Sequence, residues 1–167
     1  MEKISDKLFL LMAEDSYPNW RELLTWPAFN KDALLAIDSI ENLSAQQLYQ
    51  IRLFITLMEE LQQDVKPEQL KIVASYVFED QIIELIHYSV KRGLTSEQIA
   101  SFAKPKYSYE QMKIISDACY RGVTAEMIEN QYNSSLSPQK MRELTDKLVQ
   151  DIQAKKLRAI AEKQCVS

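Results

Sequence analysis

His87 is the only histidine of the chain, and Cys119 and Cys165 are its only cysteines. These residue types are the first from which a nucleophile, a general base or a metal site would be built. Scattered as they are, they show no metal-ligand spacing, so no metal and no disulfide framework is expected. A Cys119–His87 pair would be a thiol activated by imidazole. Cys119, however, falls in an apolar column with Val90 and Leu148, and Ile83, Ile86 and Val90 flank His87, so a packed thiol and a partly buried imidazole are the expectation. Glu59 with Glu60, and Glu79 with Asp80 and Glu84, could do acid and base work in a cleft. Without a histidine beside them they read as solvated helix faces. Glycine occurs only at Gly93 and Gly122, which excludes a glycine-rich phosphate loop. The expectation is a chain with no catalytic residue and no cofactor, hence not an enzyme.

The serines and threonines have a different pattern. Residues 93–99 read Gly-Leu-Thr-Ser-Glu-Gln-Ile and residues 122–128 read Gly-Val-Thr-Ala-Glu-Met-Ile, an offset of 29. The same offset carries Asp64 to Leu70 onto the first of these segments, and Ser108 to Ile115 onto Ser137 to Leu144. A looser copy lies at Asn42 to Leu48. Each copy has the form of a helix end followed by a helix start. Lys91 and Arg92 suit the negative end of a helix dipole, and Gly93 suits a left-handed terminator. Thr95 with Gln98, Ser44 with Gln47 and Ser108 with Gln111 have capping-box spacing. Ser137 precedes a proline at the first helical position.

Apolar residues recur between these caps at helical spacing: Ile82, Ile83, Ile86 and Val90, then Met112, Ile115 and Cys119. The pattern predicts helices over 4–12, 19–25, 31–40, 45–62, 67–77, 79–92, 96–103, 109–121, 125–132 and 138 to about 162. Residues 72–78 are β-branched and aromatic enough to leave a strand open. The fold expected is all-α: tandem helix-turn-helix hairpins, as a short α-solenoid or compact helical bundle, with a long C-terminal helix. One cooperative domain would comprise an N-terminal helical segment (1–43), the repeat region (44–150) and a basic helix end or tail (151–167). Trp20, Leu24, Trp26 and Phe29 are expected to pack between the opening helices and the repeats rather than to form an exposed hot spot.

The stretch Phe102-Ala-Lys-Pro-Lys-Tyr-Ser-Tyr-Glu-Gln-Met-Lys-Ile-Ile115, followed by Arg121-Gly-Val, resembles short tandem helical repeats found in proteins of bacterial mobile genetic elements. The resemblance covers about residues 64–148, with Ser134 where Pro105 stands one copy earlier. It implies a helical fold and an accessory or host-interaction role, and carries over no catalytic residue.

Charge narrows the partner. Residues 1–90 hold 7 basic and 15 acidic side chains, and residues 91–167 hold 13 and 9. A protein partner is the leading expectation, with a variant in which the chain modulates or inhibits a host or defence protein, in the manner of an anti-CRISPR. Asp32, Asp38, Glu41, Glu59 and Glu60 would then meet a basic groove. The alternative is a DNA-binding helix-turn-helix over residues 93–121. It would present Tyr109, Gln111 and Lys113 to a groove, with Lys104 and Lys106 near phosphates. In the last helix the core stripe Met141, Leu144, Leu148, Ile152 changes register to Leu157 and Ile160 among Lys155, Lys156, Arg158 and Lys163. That end is expected to project, either fraying into solvent or making a basic amphipathic contact with a partner or a second subunit. No apolar run approaches membrane-spanning length and no secretory signal is evident, so the sequence reads as cytoplasmic.

Overall fold

The computed structural model describes residues 43–166. The helices expected over 4–12, 19–25 and 31–40, and the tryptophan cluster, lie outside the described residues. Seven α-helices and no strand are found among those described: α1 (Ala45–Glu60), α2 (Pro67–Ala74), α3 (Asp80–Lys91), α4 (Ser96–Phe102), α5 (Tyr109–Tyr120), α6 (Ala125–Gln131) and α7 (Pro138–Cys165). The described residues divide into two compact units, one ending at Lys91 and the other beginning at Arg92.

The caps explain where the helices begin. Ser44, Thr95 and Ser108 each accept a hydrogen bond from the backbone N–H three residues on, and Gln47, Gln98 and Gln111 return it to the cap residue. Thr124 and Ser137 cap α6 and α7 through the side chain alone. At Lys66 only the return bond exists, Lys66 N–H donating to Gln69 Oε1 at 2.9 Å.

The ends depart from expectation by one to three residues, with identifiable reasons. α1 stops at Glu60 rather than Gln62, because Leu61 and Gln62 turn and Gln62 takes a left-handed φ of 53°. α2 stops at Ala74, and residues 75–79 form neither helix nor strand. Two glutamines of α1 hold that loop. Gln47 donates to Ala74 O at 2.7 Å, and the Gln50 amide donates to Val73 O and Tyr76 O while accepting from Phe78 N–H. Carbonyls that a longer helix would have used are satisfied from outside it. α5 ends in a Schellman turn: Val123 N–H reaches Ala118 O and Gly122 N–H reaches Cys119 O, with Gly122 at φ 106°. α7 runs to Cys165, beyond the expected end near 162.

In the first unit, α1 packs on α2 and α3. It buries Ile51, Phe54, Ile55 and Met58 with Leu70, Val73, Ile83 and Ile86. In the second, α4 packs on α5 and α6, and α5 on α7, around Ile99, Phe102, Met112, Ile115, Ile128 and Met141. At several positions a residue and its counterparts 29 and 58 places on are all buried. Val65, Leu94 and Val123 are buried, as are Leu70, Ile99 and Ile128, then Ile83, Met112 and Met141, then Val90, Cys119 and Leu148.

Candidate functional site

A set of charged side chains lies between α5 and α7, in an open groove of about 380 Å³ whose lining includes Glu110, Lys113, Asp117, Arg121, Arg142 and Asp146. Three cations and three carboxylates neutralise one another there. Arg142 Nη2 meets Glu110 Oε1 at 2.8 Å, and Arg121 Nη1 meets Asp146 Oδ1 at 3.1 Å and Asp117 Oδ2 at 3.8 Å. Arg92 also pairs with Asp117 (3.3 Å) and lies 3.7 Å over the Tyr120 ring. Arg92–Asp117 and Arg121–Asp146 are related by the same 29-residue step as the caps. Partly exposed pairs of this kind are worth about 0–1 kcal/mol each, so their effect is to hold register and cancel charge.

This geometry corrects one member of the expected nucleic-acid contact set. Gln111 is 7% exposed, and its amide is fully engaged. Oε1 accepts from Ser108 N–H, and Nε2 donates to Ser134 O and Leu136 O at 3.0 and 2.9 Å. It cannot read a base edge without releasing a helix cap and a loop. Lys104 is ion-paired with Glu129. Lys106 and Lys113 are exposed and stand 4.9 and 4.7 Å from the ring centres of Tyr107 and Tyr109. Tyr107 itself is buried, its hydroxyl directed at Tyr132 O (3.4 Å).

Of the expected acidic face, Asp32, Asp38 and Glu41 lie outside the described residues. Glu60 is exposed, whereas Glu59 is half-buried, its Oε2 shielded and without a hydrogen-bond partner among the described residues. His87 on α3 is also half-buried. Burial depresses its pKa, outweighing the Glu60 carboxylate and the hydrogen bond to the Leu57 backbone, which act to raise it. Its Nε2 is shielded and unpartnered among the described residues.

Cys119 occupies the core as its column suggests. Burial pushes its thiol up to about 12, against a smaller opposing effect of the Ser101 hydroxyl. A thiol so protonated is a poor nucleophile at neutral pH. Cys165 is exposed. Among the described residues no group of three His, Cys, Asp or Glu side chains could hold a metal ion, and no helix is long and apolar enough to cross a membrane.

The end of α7 is the other distinctive surface. Residues 153–166 are all exposed, with Leu157 at 68% and Ile160 at 54%. Lys155, Lys156, Arg158 and Lys163 have no ion-pair partner among the described residues, unlike Arg121 and Arg142 of the groove. Sequence reasoning located this segment from its register change. It missed the α5–α7 ion pairs, which join residues 25 to 32 apart in sequence; the shared offset of Arg92, Arg121, Asp117 and Asp146 was the available signal. No protein-family model, curated protein or solved structure matches the chain.

Proposed function

We propose that this chain is a non-enzymatic protein-binding module built from tandem helical hairpins, which acts by modulating or inhibiting a partner protein. One observation carries the reading. Four sets of buried apolar residues recur at 29-residue spacing, those of Val65, Leu70, Ile83 and Val90 with their counterparts, while solvent-facing positions at the same spacing change character, as Lys71 does to Ala100 and Glu129, and Glu84 does to Lys113 and Arg142. A core kept constant beneath a changing surface suits recognition, because surface side chains can vary without disturbing packing. The mobile-element resemblance supports an accessory role toward a host or defence protein, and the excess of acid over base before residue 91 supports a basic partner.

The DNA-binding alternative draws on Lys106 and Lys113 and loses Gln111. The test is affinity capture with the full chain from a bacterial lysate, with and without nuclease, followed by mass spectrometry. A stoichiometric protein that survives nuclease treatment, and binds again when purified, supports the module. Capture that nuclease abolishes, together with salt-sensitive binding of a purified DNA duplex, would replace it with the DNA-binding alternative.

A further inference from the structure

Two exposed aliphatic side chains lie in opposite electrostatic settings. Leu157, 68% exposed, belongs to a helix end whose residues 153–166 carry four cations and one carboxylate. Val77, 64% exposed, belongs to the α2–α3 loop, where residues 75–84 carry Glu79, Asp80 and Glu84 and no cation. Each has a second apolar residue nearby in sequence, Ile160 at 54% and Tyr76 at 42%. Both surfaces are open to solvent in the single chain.

We propose that the second copy of this chain is the occupant: the end of α7 of one copy docks by Leu157 and Ile160 on the acidic apolar patch at Tyr76, Val77, Glu79 and Asp80 of another. The patch is prepared as a docking surface. Gln50 fixes the loop through Val73 O, Tyr76 O and Phe78 N–H, Gln46 Nε2 reaches Phe78 O, and Tyr49 holds Asp80 through a 3.0 Å hydrogen bond. Little conformational freedom is therefore left for the loop to lose on binding. The tail is prepared too. At 100° per residue, Leu157 and Ile160 face about a third of a turn away from the line of Met141, Thr145 and Leu148, so they do not continue the stripe that seals the second unit.

Charge selects this pairing over tail against tail. Lys155, Lys156, Arg158 and Lys163 would repel their own counterparts and attract Glu79, Asp80 and Glu84. A single helix edge buries less than the roughly 1,600 Å² of a standard stable interface, so association is weak and concentration-dependent. The contact joins unlike surfaces, so it runs on head to tail unless a second, reciprocal contact closes it.

The experiment is sedimentation of the full chain from low micromolar to submillimolar concentration. Average mass should rise above that of the monomer with concentration and fall back with added salt. The variants Leu157→Asp/Ile160→Asp, Lys155→Glu/Lys156→Glu/Arg158→Glu and Glu79→Lys/Asp80→Lys should each remain monomeric, with helical circular dichroism retained. Mixing the two charge-reversed variants should restore the heavier species, since each then offers the other's complement. Monomer at every concentration overturns the proposal. So does association that survives Leu157→Asp/Ile160→Asp, which would mean a contact elsewhere, or association that strengthens with salt, which would mean tails pairing with each other. None of these outcomes bears on heterologous capture, so the partner-binding reading stands or falls separately.

Discussion

Gln98 and Gln111 each hold two places at once. The acceptor oxygen closes a capping box, and the Nε2 amide of Gln98 donates to Cys119 O and Val123 O as that of Gln111 does to Ser134 O and Leu136 O. The cap was legible in the sequence because Thr or Ser stands three residues before Gln. The second use was not, because its acceptors lie more than 20 residues on. Gln111→Met keeps the volume and removes three hydrogen bonds, at about 1 kcal/mol apiece. It should lower stability by about 2–3 kcal/mol in urea titrations, against a change within about 0.5 kcal/mol for the exposed Lys113→Ala. Equal effects of the two changes would show that Gln111 fixes nothing beyond its own turn.

Cys119 gives a second test at this scale. With its thiol at about 12 in the fold and 9.0 as the ordinary value, the unfolded chain ionises first. Stability is thus intact below pH 9 and falls between 9 and 12, by up to about 1.4 kcal/mol per pH unit. The phenols of Tyr107 and Tyr132, also raised by burial, act in the same direction. His87 acts on the acid side: its depressed pKa means stability is lost as pH drops below 6.5. Thiol titration near pH 8 should label one cysteine, the exposed Cys165, in the folded chain and two in denaturant. Rapid labelling of both in the native chain would show that Cys119 is not sealed in the core.

Among the elements, α7 shows how one residue decides where a helix stops. α5 ends because Gly122 takes φ 106° and lets the chain reverse. The position 29 residues later is Asp151, and there the helix continues for 14 more residues to Cys165. Ile152, whose Cγ2 lies 4.0 Å from where a Gly122 Cβ would be, marks the last packed turn. The starts of helices were read closely because caps are local chemistry. The ends were read less well, since α1 yields to a left-handed Gln62 and α2 to glutamines reaching across from α1, neither of which leaves a mark in its own segment. The missing glycine makes a prediction. Asp151→Gly costs the helix only about 0.3–0.5 kcal/mol locally, since Asp is already a weak helix former, but it restores the left-handed option that lets the exposed end fray. Helical amide signals of residues 153–165 should weaken while those of 138–149 persist. Deleting 154–167 should likewise leave the core melting temperature unchanged; a drop would mean that the end of α7 is part of the fold.

At the scale of the whole molecule, the composition announced a globular helical protein, but one cooperative domain was an inference from length alone. The second unit contains what a self-sufficient fold needs. Ile99, Phe102, Met112, Ile115, Ala118, Val123, Ile128 and Met141 are each 1% exposed or less. The Gln98 and Gln111 bridges, the Tyr132–Thr145 hydroxyl pair at 2.7 Å and the ion pairs of Arg92, Lys104, Arg121 and Arg142 all close within residues 92–146. A domain of this size is marginal, since chains of about 60–80 residues bury only some 60% of their unfolded surface. A fragment of residues 92–167 should therefore fold, with a cooperative melt and dispersed methyl resonances, but melt below the full chain. Helical circular dichroism without methyl dispersion would identify a molten state. The packing of the second unit would then depend on residues before Arg92, and the chain would have to be treated as one cooperative body in every measurement made on it.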